Sequence, residues 1–454
     1  MDRHREQWWR LSGTGIKTAV GGLVSLIVRR YCGPFWLRRR QLARTQWLTP
    51  QELGDLQLSL LRRLLRHCHR TVPYYRRRMD ELGIQADEVR RLEEIGRFPI
   101  LTKQDVLESR DSLISSRYPR CLRRTAFTGG TTGTPLALAR DLFSIANEHA
   151  FVRRQYDWAG IKMGDRCAFL TGRPVARPDQ TVGLYAYDPF MKELILSTYH
   201  LSPRTAREYA RAMQEYKVKA LVGYPSAVHL LAQVSRSEGP RLSLSAVLTS
   251  SETLTDSMRK TISEAFGCRV FDFCGSAERV YYIHTCDAGS YHIVPEYGLT
   301  ELIATGDEPG RYKIVSTGFW NLAMPLVRYD LSDVVIKGDR SCSCGRAFPV
   351  VERIAGRQGD SVVTASGRQF GAAILTHLLY GTRNILESQI IQDAIDHVRI
   401  EYVPTKEFSD ENMQAFENLI RMHLPSELRV EIQAVDGVKR TASGKVRPVV
   451  SLLH

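Results

Sequence analysis

One short segment of the sequence has the residue types of a phosphate-binding loop. It reads Thr128-Gly129-Gly130-Thr131-Thr132-Gly133-Thr134-Pro135. Its glycines let backbone N–H groups approach an anion closely, and its threonine hydroxyls add further hydrogen-bond donors. The segment is not a Walker P-loop, because no Gly-Lys-Ser/Thr sequence closes it. A phosphate-binding loop is therefore predicted, and the alternative is a flexible turn without a ligand.

Five further motifs place polar side chains after short apolar runs or in glycine-containing turns. They read Ser250-Ser251-Glu252, Phe273-Cys274-Gly275-Ser276-Ala277-Glu278, Arg328-Tyr329-Asp330-Leu331-Ser332-Asp333, Gly356-Arg357 and Thr441-Ala442-Ser443-Gly444-Lys445. In this order, after the glycine–threonine segment, they resemble the adenylate-forming ligases, whose phosphate loop has a Thr/Ser-Gly-Thr-Thr-Gly-x-Pro pattern. The segments 223–226 (GYPS) and 342–346 (CSCGR) resemble the phenylacetate-CoA ligase branch, including its relatives in capsule polysaccharide biosynthesis. The resemblance covers most of the chain but not its first 48 residues.

The resemblance implies an ATP-dependent reaction in two steps. A carboxylic acid would first be activated as an acyl-AMP with release of pyrophosphate. The acyl group would then pass to a thiol, for which coenzyme A is the expected acceptor. One alternative acceptor is a polysaccharide or a carrier protein. A second alternative is a nucleotide-binding scaffold without turnover, and the sequence does not identify the acid.

The matched residues have side chains suited to the roles that the resemblance implies. Glu278 is a hard oxygen ligand for Mg²⁺, and Lys445 would bridge the carboxylate and the α-phosphate as charge develops. Asp333 would accept hydrogen bonds from the ribose hydroxyls, and Arg357 would donate to ribose or phosphate. Other nucleotide contacts are expected from Thr128, Gly129, Gly130, Thr131, Thr132, Gly133, Ser251, Glu252, Phe273, Cys274, Gly275 and Ser276. The acid pocket is expected at Tyr224, Pro225 and Ser226.

Two positions near the Glu278 motif depart from the family pattern. Cys274 stands where many members have tyrosine, so Phe273 or Tyr281 is expected to stack on adenine instead. The aromatics at Tyr281 and Tyr282 are also expected near the acid pocket. Ala277 lacks the hydroxyl of the more frequent threonine or serine. These two departures are what keeps the scaffold alternative open.

A second group of residues has the chemistry of a zinc site. Cys286 and His292 are near each other in the sequence, and Cys342 and Cys344 begin 50 residues after His292. Three thiolates and an imidazole form a closed tetrahedral set for a structural Zn²⁺. In the branch that the chain resembles, similar residues hold together the smaller region of β-strands. The sequence does not show that the two pairs meet, so separate duties for these residues are the alternative.

The elements that must position these residues follow from hydrophobic patterning. Leucines at three- and four-residue spacing predict a helix over residues 50–82. Short apolar runs at 167–170, 219–224, 246–252 and 269–275 predict strands, and their alternation with helical stretches indicates parallel α/β layers. A strand at 398–403, a helix at 407–423 and a strand at 428–434 predict a smaller unit. The expected fold is α/β: a large layered N-terminal domain with parallel or mixed sheets, and a small mobile α+β C-terminal lid.

The expected domains are a basic, partly apolar arm (1–48), the adenylate-forming domain (49–356) and the lid (357–454). The glycine-containing stretch 352–368 separates the last two. The hinge is expected near Gly359, where the family often has aspartate and this chain has Asp360 next. Glycine still allows rotation at that point.

The arm has an uneven share of the charge. The formal net charge is +14, and residues 1–48 supply +8 of it, from ten Lys/Arg against two Asp/Glu. Such an excess at one end indicates contact with an anionic surface and not a nucleic-acid groove. The uncharged run 18–28, followed by Arg29, Arg30 and Arg38–Arg40, is too short to span a bilayer but suits an interfacial segment. A helix packed on the protein's own core is the alternative.

The cysteines indicate the compartment. Nine cysteines scattered through a large chain do not form a disulfide framework. A cytoplasmic protein is therefore expected, with peripheral attachment to the inner face of the membrane through the arm.

Overall fold

The computed structural model describes residues 33–128, 136–173, 175–176, 181–198, 200–237, 239–306, 309–338, 341–357, 361–365, 369–371, 382–424, 427–441 and 444–453. Several predicted features lie outside these residues. They are the loop from Gly129 to Gly133, the first 32 residues of the arm and the hinge position Gly359.

The helices in chain order are α1 (Gly33–Thr45), α2 (Pro50–Thr71), α3 (Pro73–Leu82), α4 (Lys103–Glu108), α5 (Leu142–Trp158), α6 (Pro203–Glu215), α7 (Pro225–Ser237), α8 (Asp256–Phe266) and α9 (Asp410–His423). The strands are β1 (Arg123–Phe127), β2 (Ala137–Asp141), β3 (Cys167–Leu170), β4 (Tyr185–Asp188), β5 (Glu193–Leu196), β6 (Ala220–Gly223), β7 (Ala246–Ser250), β8 (Arg269–Gly275), β9 (Tyr282–Thr285), β10 (Tyr291–Ile293), β11 (Gly298–Ala304), β12 (Arg311–Gly318), β13 (Tyr329–Ile336), β14 (Val350–Val351), β15 (Arg353–Arg357), β16 (Ser361–Val363), β17 (Gln369–Gly371), β18 (Ile385–Ala394), β19 (His397–Pro404), β20 (Arg429–Ala434) and β21 (Val449–Ser451).

The helix predicted over residues 50–82 is divided into α2 and α3. Helix α2 begins with a capping box, in which the Thr49 side chain accepts from the Glu52 N–H and the Glu52 carboxylate accepts from the Thr49 N–H. Pro73 forces the preceding Val72 into an extended conformation and begins α3. The predicted leucine stripe is buried at Leu60, Leu61, Leu64 and Leu65.

Helix α1 packs on the body, although its residues belong to the predicted arm. Phe35 and Leu42 are fully buried in a cluster with residues of α5. The Arg38 guanidinium carbon lies 3.4 Å from the ring centroid of Trp320, and Arg39 forms an ion pair with Asp157. Two of the arginines predicted to meet lipid therefore have partners within the protein.

The main sheet has nine strands in the described part of the chain, in the order β14-β10-β9-β8-β7-β6-β3-β5-β4. The five central strands, β5, β3, β6, β7 and β8, run parallel. Antiparallel strands extend the sheet at both ends. Helices α6, α7 and α8 connect successive strands, and their apolar faces cover the sheet, as at Leu231 and Ile262. The crossover helices therefore bring the ends of the parallel strands to one edge of the sheet.

A second sheet, of order β11-β12-β13-β15, is antiparallel throughout. Strands β1 and β2 form a separate antiparallel pair that brackets the predicted phosphate loop. The C-terminal unit is a mixed sheet of order β20-β19-β18-β21, covered by α9 through Phe416 and Ile420. The α/β fold with a large sheet-rich domain and a small α+β C-terminal domain, predicted from the sequence, is confirmed.

Few residues of the sequence separate the body from the C-terminal unit. Arg357, the last residue of β15, pairs in the ladder with Asp333 of β13, so it belongs to the body. Strand β16 begins at Ser361, and the N–H of Val363 donates to the Gln392 side chain on β18. The crossing therefore lies between residues 357 and 361. Among the described residues, no helix has both the length and the apolar character needed to cross a membrane.

Candidate active site

The parallel strands bring several predicted motifs to one edge of the main sheet. Strands β3, β6, β7 and β8 end at Leu170, Gly223, Ser250 and Gly275. The predicted segments 223–226, 250–252 and 273–278 lie at these ends. Crevices at the carboxyl ends of parallel strands are the usual ligand sites of open α/β sheets. The structure therefore brings together three motifs that are separated by tens of residues in the sequence.

The predicted phosphate loop is closed at its base by Thr128. The Thr128 N–H donates to the Leu136 carbonyl at 3.1 Å, and the Leu136 N–H donates to the Thr128 hydroxyl at 2.9 Å. On β2, Arg140 donates to the carbonyl of Ala277, which joins this hairpin to the segment after β8. The residues from Gly129 to Gly133 lie outside the described chain, so their predicted role in phosphate binding stays a prediction.

Cys274 belongs to a chain of hydrogen bonds that leads to Asp333. Its thiol lies 2.8 Å from the phenol oxygen of Tyr281, and that phenol donates to the Asp333 carboxylate at 2.9 Å. Burial and then the charge of Asp333 raise the pKa of Tyr281 well above its ordinary value, so the phenol keeps its proton and donates. The Cys274 thiol therefore lies next to the phenol that bonds to Asp333, the predicted ribose ligand.

The predicted aromatic residues are only partly placed for a ligand. Tyr281 is 1% exposed and its hydroxyl is bonded to Asp333, and its stacking on adenine stays a prediction. Tyr282 is also 1% exposed and packs in the core, and its place near the acid pocket stays a prediction. Phe273 is half-buried and stacks on Tyr282 with ring centroids 5.3 Å apart. Of the two residues expected to stack on adenine, Phe273 has the more exposed ring.

Asp333 and Arg357 are neighbours across the second sheet. They form a pair in the β13–β15 ladder, so the two positions predicted to contact ribose or phosphate are brought together by backbone pairing. Asp333 is 7% exposed.

Glu278 has the surroundings of a ligand at the sheet edge. It is half-buried, and the Tyr329 hydroxyl donates to its carboxylate at 3.4 Å. Nearby, the hydroxyl of Ser276 is buried and has no hydrogen-bond partner among the described residues. A buried hydroxyl without a protein partner is expected where a ligand supplies one. Glu278 and Ser276 therefore suit a site for phosphate and its Mg²⁺ ion.

Lys445 reaches this edge from the C-terminal unit. It lies in a tight turn in which the Thr441 N–H donates to the Lys445 carbonyl. Its ammonium lies 5.4 Å from the ring centroid of Tyr224, and the next N–H, that of Val446, donates to Glu252 at 2.9 Å. Sequence positions more than 190 residues apart are thereby joined in one site.

The turn that carries Lys445 fits closely against the body at Gly444. This glycine has φ +77°, and a Cβ there would lie 2.4 Å from the Thr198 hydroxyl. Glycine is therefore required both by the left-handed backbone and by the approach to Thr198. The sequence analysis did not single out Thr198. Its signal was a Ser-Thr pair directly after the apolar strand β5.

Both oxygens of the Glu252 carboxylate accept from protein backbone, and its contact with a nucleotide stays a prediction. Its Oε2 accepts from the Ser226 N–H at 3.0 Å and its Oε1 accepts from the Val446 N–H. Burial raises the pKa of Glu252, whereas these backbone donors and Arg440 oppose that rise. Ser251 before it has φ +72°, an uncommon conformation for a residue with a side chain. The carboxylate is thus bonded to two protein segments.

The predicted acid-pocket residues begin α7. The Tyr224 hydroxyl accepts from the Gly172 N–H at 3.0 Å, and its ring is 8% exposed beside Lys445. Pro225 and Ser226 are buried in the first turn of the helix. These residues line the strand edge, and their contact with an acid stays a prediction.

The two cysteine-containing segments meet. The ligand atoms of Cys286, His292, Cys342 and Cys344 all lie within 4.8 Å of one another. The Cys286 and Cys342 sulfurs are 3.5 Å apart, and the Cys344 sulfur is 3.4 Å from His292 Nε2. His292 Nδ1 lies 3.1 Å from the Phe348 carbonyl. Donation to that carbonyl leaves Nε2 as the metal-binding nitrogen, so the set fits a tetrahedral Zn²⁺.

The sequence of this chain is similar to those of known proteins. Residues 362–451 match the family described as the CapK C-terminal domain. The chain is 23% identical to protein CapK of Staphylococcus aureus over 360 residues, covering 78% of this chain and 79% of that protein. It is 23% identical to a phenylacetate-coenzyme A ligase of Thermus thermophilus over 439 residues, covering 89% and 98% of the two chains.

A solved structure shares the fold over nearly the whole length. It is 2-hydroxyisobutyryl-CoA ligase in the postadenylation state with R3-HIB-AMP, with a TM-score of 0.69, 20% identity and coverage of 90% and 91%. The same ligase in the thioesterification state, with 2-HIB-AMP and CoA, gives a TM-score of 0.56 at 19% identity and the same coverage. The chain therefore has the fold of the adenylate-forming ligases, and the resemblance to their phenylacetate-CoA ligase branch and to CapK is confirmed.

Proposed function

We propose that this protein is an AMP-forming acid–thiol ligase. In the first step, a carboxylate oxygen attacks the α-phosphorus of ATP, the bond to the bridging oxygen breaks, and pyrophosphate leaves. In the second step, the sulfur of coenzyme A attacks the acyl carbonyl and AMP leaves. The observation that carries the proposal is the position of Lys445, which the C-terminal unit brings to the carboxyl edge of the parallel strands.

Lys445 addresses the main obstacle of the first step. A carboxylate and a phosphate repel each other, and a cation placed between them stabilises the charge that develops as the new bond forms. The ammonium beside Tyr224 comes from a turn that is held to the body at Glu252 and Thr198. Mg²⁺ on Glu278 would offset the charge of the leaving pyrophosphate.

The second step requires room for the acceptor. The present arrangement overlaps the postadenylation state of 2-hydroxyisobutyryl-CoA ligase better than its thioesterification state. This difference supports assigning the described conformation to acyl-AMP formation. The C-terminal unit would then rotate about the crossing between Arg357 and Ser361, withdraw Lys445 and open a path for the thiol.

The Cys286–His292–Cys342–Cys344 cluster serves the fold in this proposal. Three sulfurs and one nitrogen leave no position open for a substrate on a tetrahedral Zn²⁺. Next to the cluster, Arg346 stacks on Trp158 at 3.8 Å and pairs with Asp287. A bound zinc would fix the loop that carries Cys342, Cys344 and Arg346.

A different acceptor is the second candidate. The acceptor would then be a hydroxyl or amine of a polysaccharide, or a carrier-protein thiol, as the resemblance to the capsule-related branch implies. Adenylation is the same in both cases, so the first-step residues are unchanged. A scaffold without turnover is the third possibility, in which Lys445 would have no effect on chemistry.

One experiment separates these candidates. The purified protein is incubated with ATP, Mg²⁺ and a broad panel of carboxylic acids, and acyl-AMP is detected by mass spectrometry together with acid-dependent pyrophosphate exchange. Coenzyme A is then added to the acids that respond, and formation of the thioester is measured. Exchange without a thioester points to another acceptor. No acid-dependent exchange in the full panel contradicts the ligase.

A further inference from the structure

Glu252 occupies the junction between two units that move relative to each other in the proposed cycle. It follows β7 in the body, whereas one of its two backbone hydrogen-bond donors, the Val446 N–H, belongs to the C-terminal unit. That donor is the residue directly after Lys445. The other donor, the Ser226 N–H, opens α7 and stays with the body.

We propose that Glu252 is a positioning residue that holds the Lys445 turn in the adenylation arrangement and releases it when the C-terminal unit rotates. This inference rests on the proposed function for its catalytic consequence. Glu252 touches no reacting atom in this scheme, and it acts through the backbone that carries Lys445.

The geometry favours a protein-holding role over a nucleotide contact. Both carboxylate oxygens already accept from protein backbone, at 3.0 Å and 2.9 Å. A buried carboxylate that accepts backbone N–H bonds at a helix N-terminus is stabilised by the aligned peptide dipoles, so the α7 bond fixes Glu252 on the body. The remaining oxygen is then presented in a fixed direction. Only a turn with its N–H at the right position can complete the pair.

The contact can be broken and formed again because only one of the two hydrogen bonds of Glu252, the one from Val446, joins the two units. When the C-terminal unit leaves, Glu252 keeps its bond to Ser226, and the oxygen that faced Val446 becomes open to solvent. The carboxylate is then hydrated on one side and is not stranded without a partner. A latch that involved two donors from the moving unit would resist release more strongly.

Other contacts of the Lys445 turn lie beside the hydrogen bond between Glu252 and Val446, which we call the latch. Gly444 lies against Thr198 on one side of Lys445, and Val446 bonds to Glu252 on the other. Lys445 therefore lies between a close approach to Thr198 and a hydrogen bond to Glu252, both residues of the body. Arg440 at the base of the turn pairs with Glu387 inside the C-terminal unit, so the turn itself is stiffened by its own domain.

The test uses Glu252→Gln, which keeps the size of the side chain but leaves it one acceptor oxygen for two donors. Acyl-AMP formation, measured as pyrophosphate exchange, is expected to fall about 10-fold, the size expected for one hydrogen bond to a charged group. The KM for ATP and acyl transfer from supplied acyl-AMP are expected to stay within about 2-fold. The matched control is Glu264→Gln, an exposed glutamate on α8 that pairs with Arg236.

Two further measurements separate positioning from other roles. The double variant Glu252→Gln/Lys445→Ala is expected to be no slower than Lys445→Ala alone, because Glu252 acts only through Lys445. Hydrogen exchange in peptides covering residues 444–453 is expected to be faster in Glu252→Gln than in the wild type. If Glu252→Gln does not fold, Glu252→Asp, too short to reach both donors, replaces it under the same criteria.

Several outcomes would overturn the inference. A KM for ATP that rises in step with the lost activity would show a nucleotide contact, and equal losses in both half-reactions would show a general structural role. Losses that add in the double variant, or unchanged exchange in residues 444–453, would also exclude a latch. If the wild type shows no acid-dependent pyrophosphate exchange, the proposed function fails, and the exchange of residues 444–453 still decides whether Glu252 holds the turn.

Discussion

The Cys–His cluster and the proposed nucleotide site at the carboxyl ends of the parallel strands (the nucleotide edge) are both built on the main sheet, but they are assembled in different ways. The cluster gathers its four ligands within the body, where antiparallel pairing of β9, β10 and β14 sets their positions. The nucleotide edge gathers residues from the ends of parallel strands and takes Lys445 from a separate unit. A site that serves the fold can be complete in one domain. A site that must differ between two half-reactions needs a group that can leave.

The largest expected effect tests the part of the nucleotide edge that leaves. Lys445→Ala should slow acyl-AMP formation by at least about 10²-fold, because one preorganised cation is lost from the transition state. Acyl transfer from supplied acyl-AMP should change by less than about 10-fold, since Lys445 is withdrawn in that step. Both rates are measured separately, with Lys439→Ala as the control, an exposed lysine just before the same turn. An adenylation rate close to that of the wild type would remove Lys445 from the mechanism.

The second prediction tests the cluster as a permanent part of the fold. Purified protein should contain close to one zinc per chain, and the variant Cys342→Ser/Cys344→Ser should lose it. The melting temperature should fall with the metal, because ligand binding to the native state stabilises the fold. Metal analysis and thermal unfolding measure this, with exposed Cys121→Ser as the control.

The result also bears on the contrast between the sites. If the double cysteine variant folds, its melting temperature should be lower than that of the wild type. The ratio of its adenylation rate to its acyl-transfer rate should stay the same. A variant that retains full zinc and full stability would show that the four residues hold no metal.

The smallest expected effect concerns the segment outside both sites. Removal of residues 1–32 should weaken binding to anionic vesicles at low salt, because Arg29 and Arg30 are lost, at about 1 kcal/mol per basic residue near the surface. The cut is placed before Gly33 because α1 packs on the body. Vesicle flotation at low and high salt measures the effect. Equal flotation of the full-length and shortened proteins would assign residues 1–32 to packing, and lost adenylation would tie them to the site.

Local patterns predicted much of the fold. The strand expected at 269–275 coincides with β8, and the helix expected at 407–423 is observed as α9 from Asp410 to His423. These elements follow from hydrophobic periodicity, which a single segment carries. The division of α2 from α3 was also visible in principle, because Pro73 interrupts the leucine repeat.

The contacts at the site could not be predicted in the same way. The sequence suggested ligand contacts for Glu252 and Tyr281 but did not show which protein segments their side chains meet. Tyr281 faces Asp333, and Glu252 faces α7 and the Lys445 turn. Such directions depend on which distant segments arrive at the same place. The meeting of Cys286 with Cys342 likewise depends on the pairing of β10 with β14, which no local pattern encodes.

In the proposed cycle, the C-terminal unit would turn about the three residues that separate Arg357 from Ser361. On one side, Arg357 is fixed in the ladder with Asp333, and on the other, Val363 is bonded to Gln392 on β18. A packed unit turning about so short a pivot moves each atom in proportion to its distance from the pivot. In that rotation the Lys445 turn would move together with the rest of the packed unit. The rotation would break the hydrogen bond between Val446 and Glu252, and it would not require the interior of the C-terminal unit to rearrange.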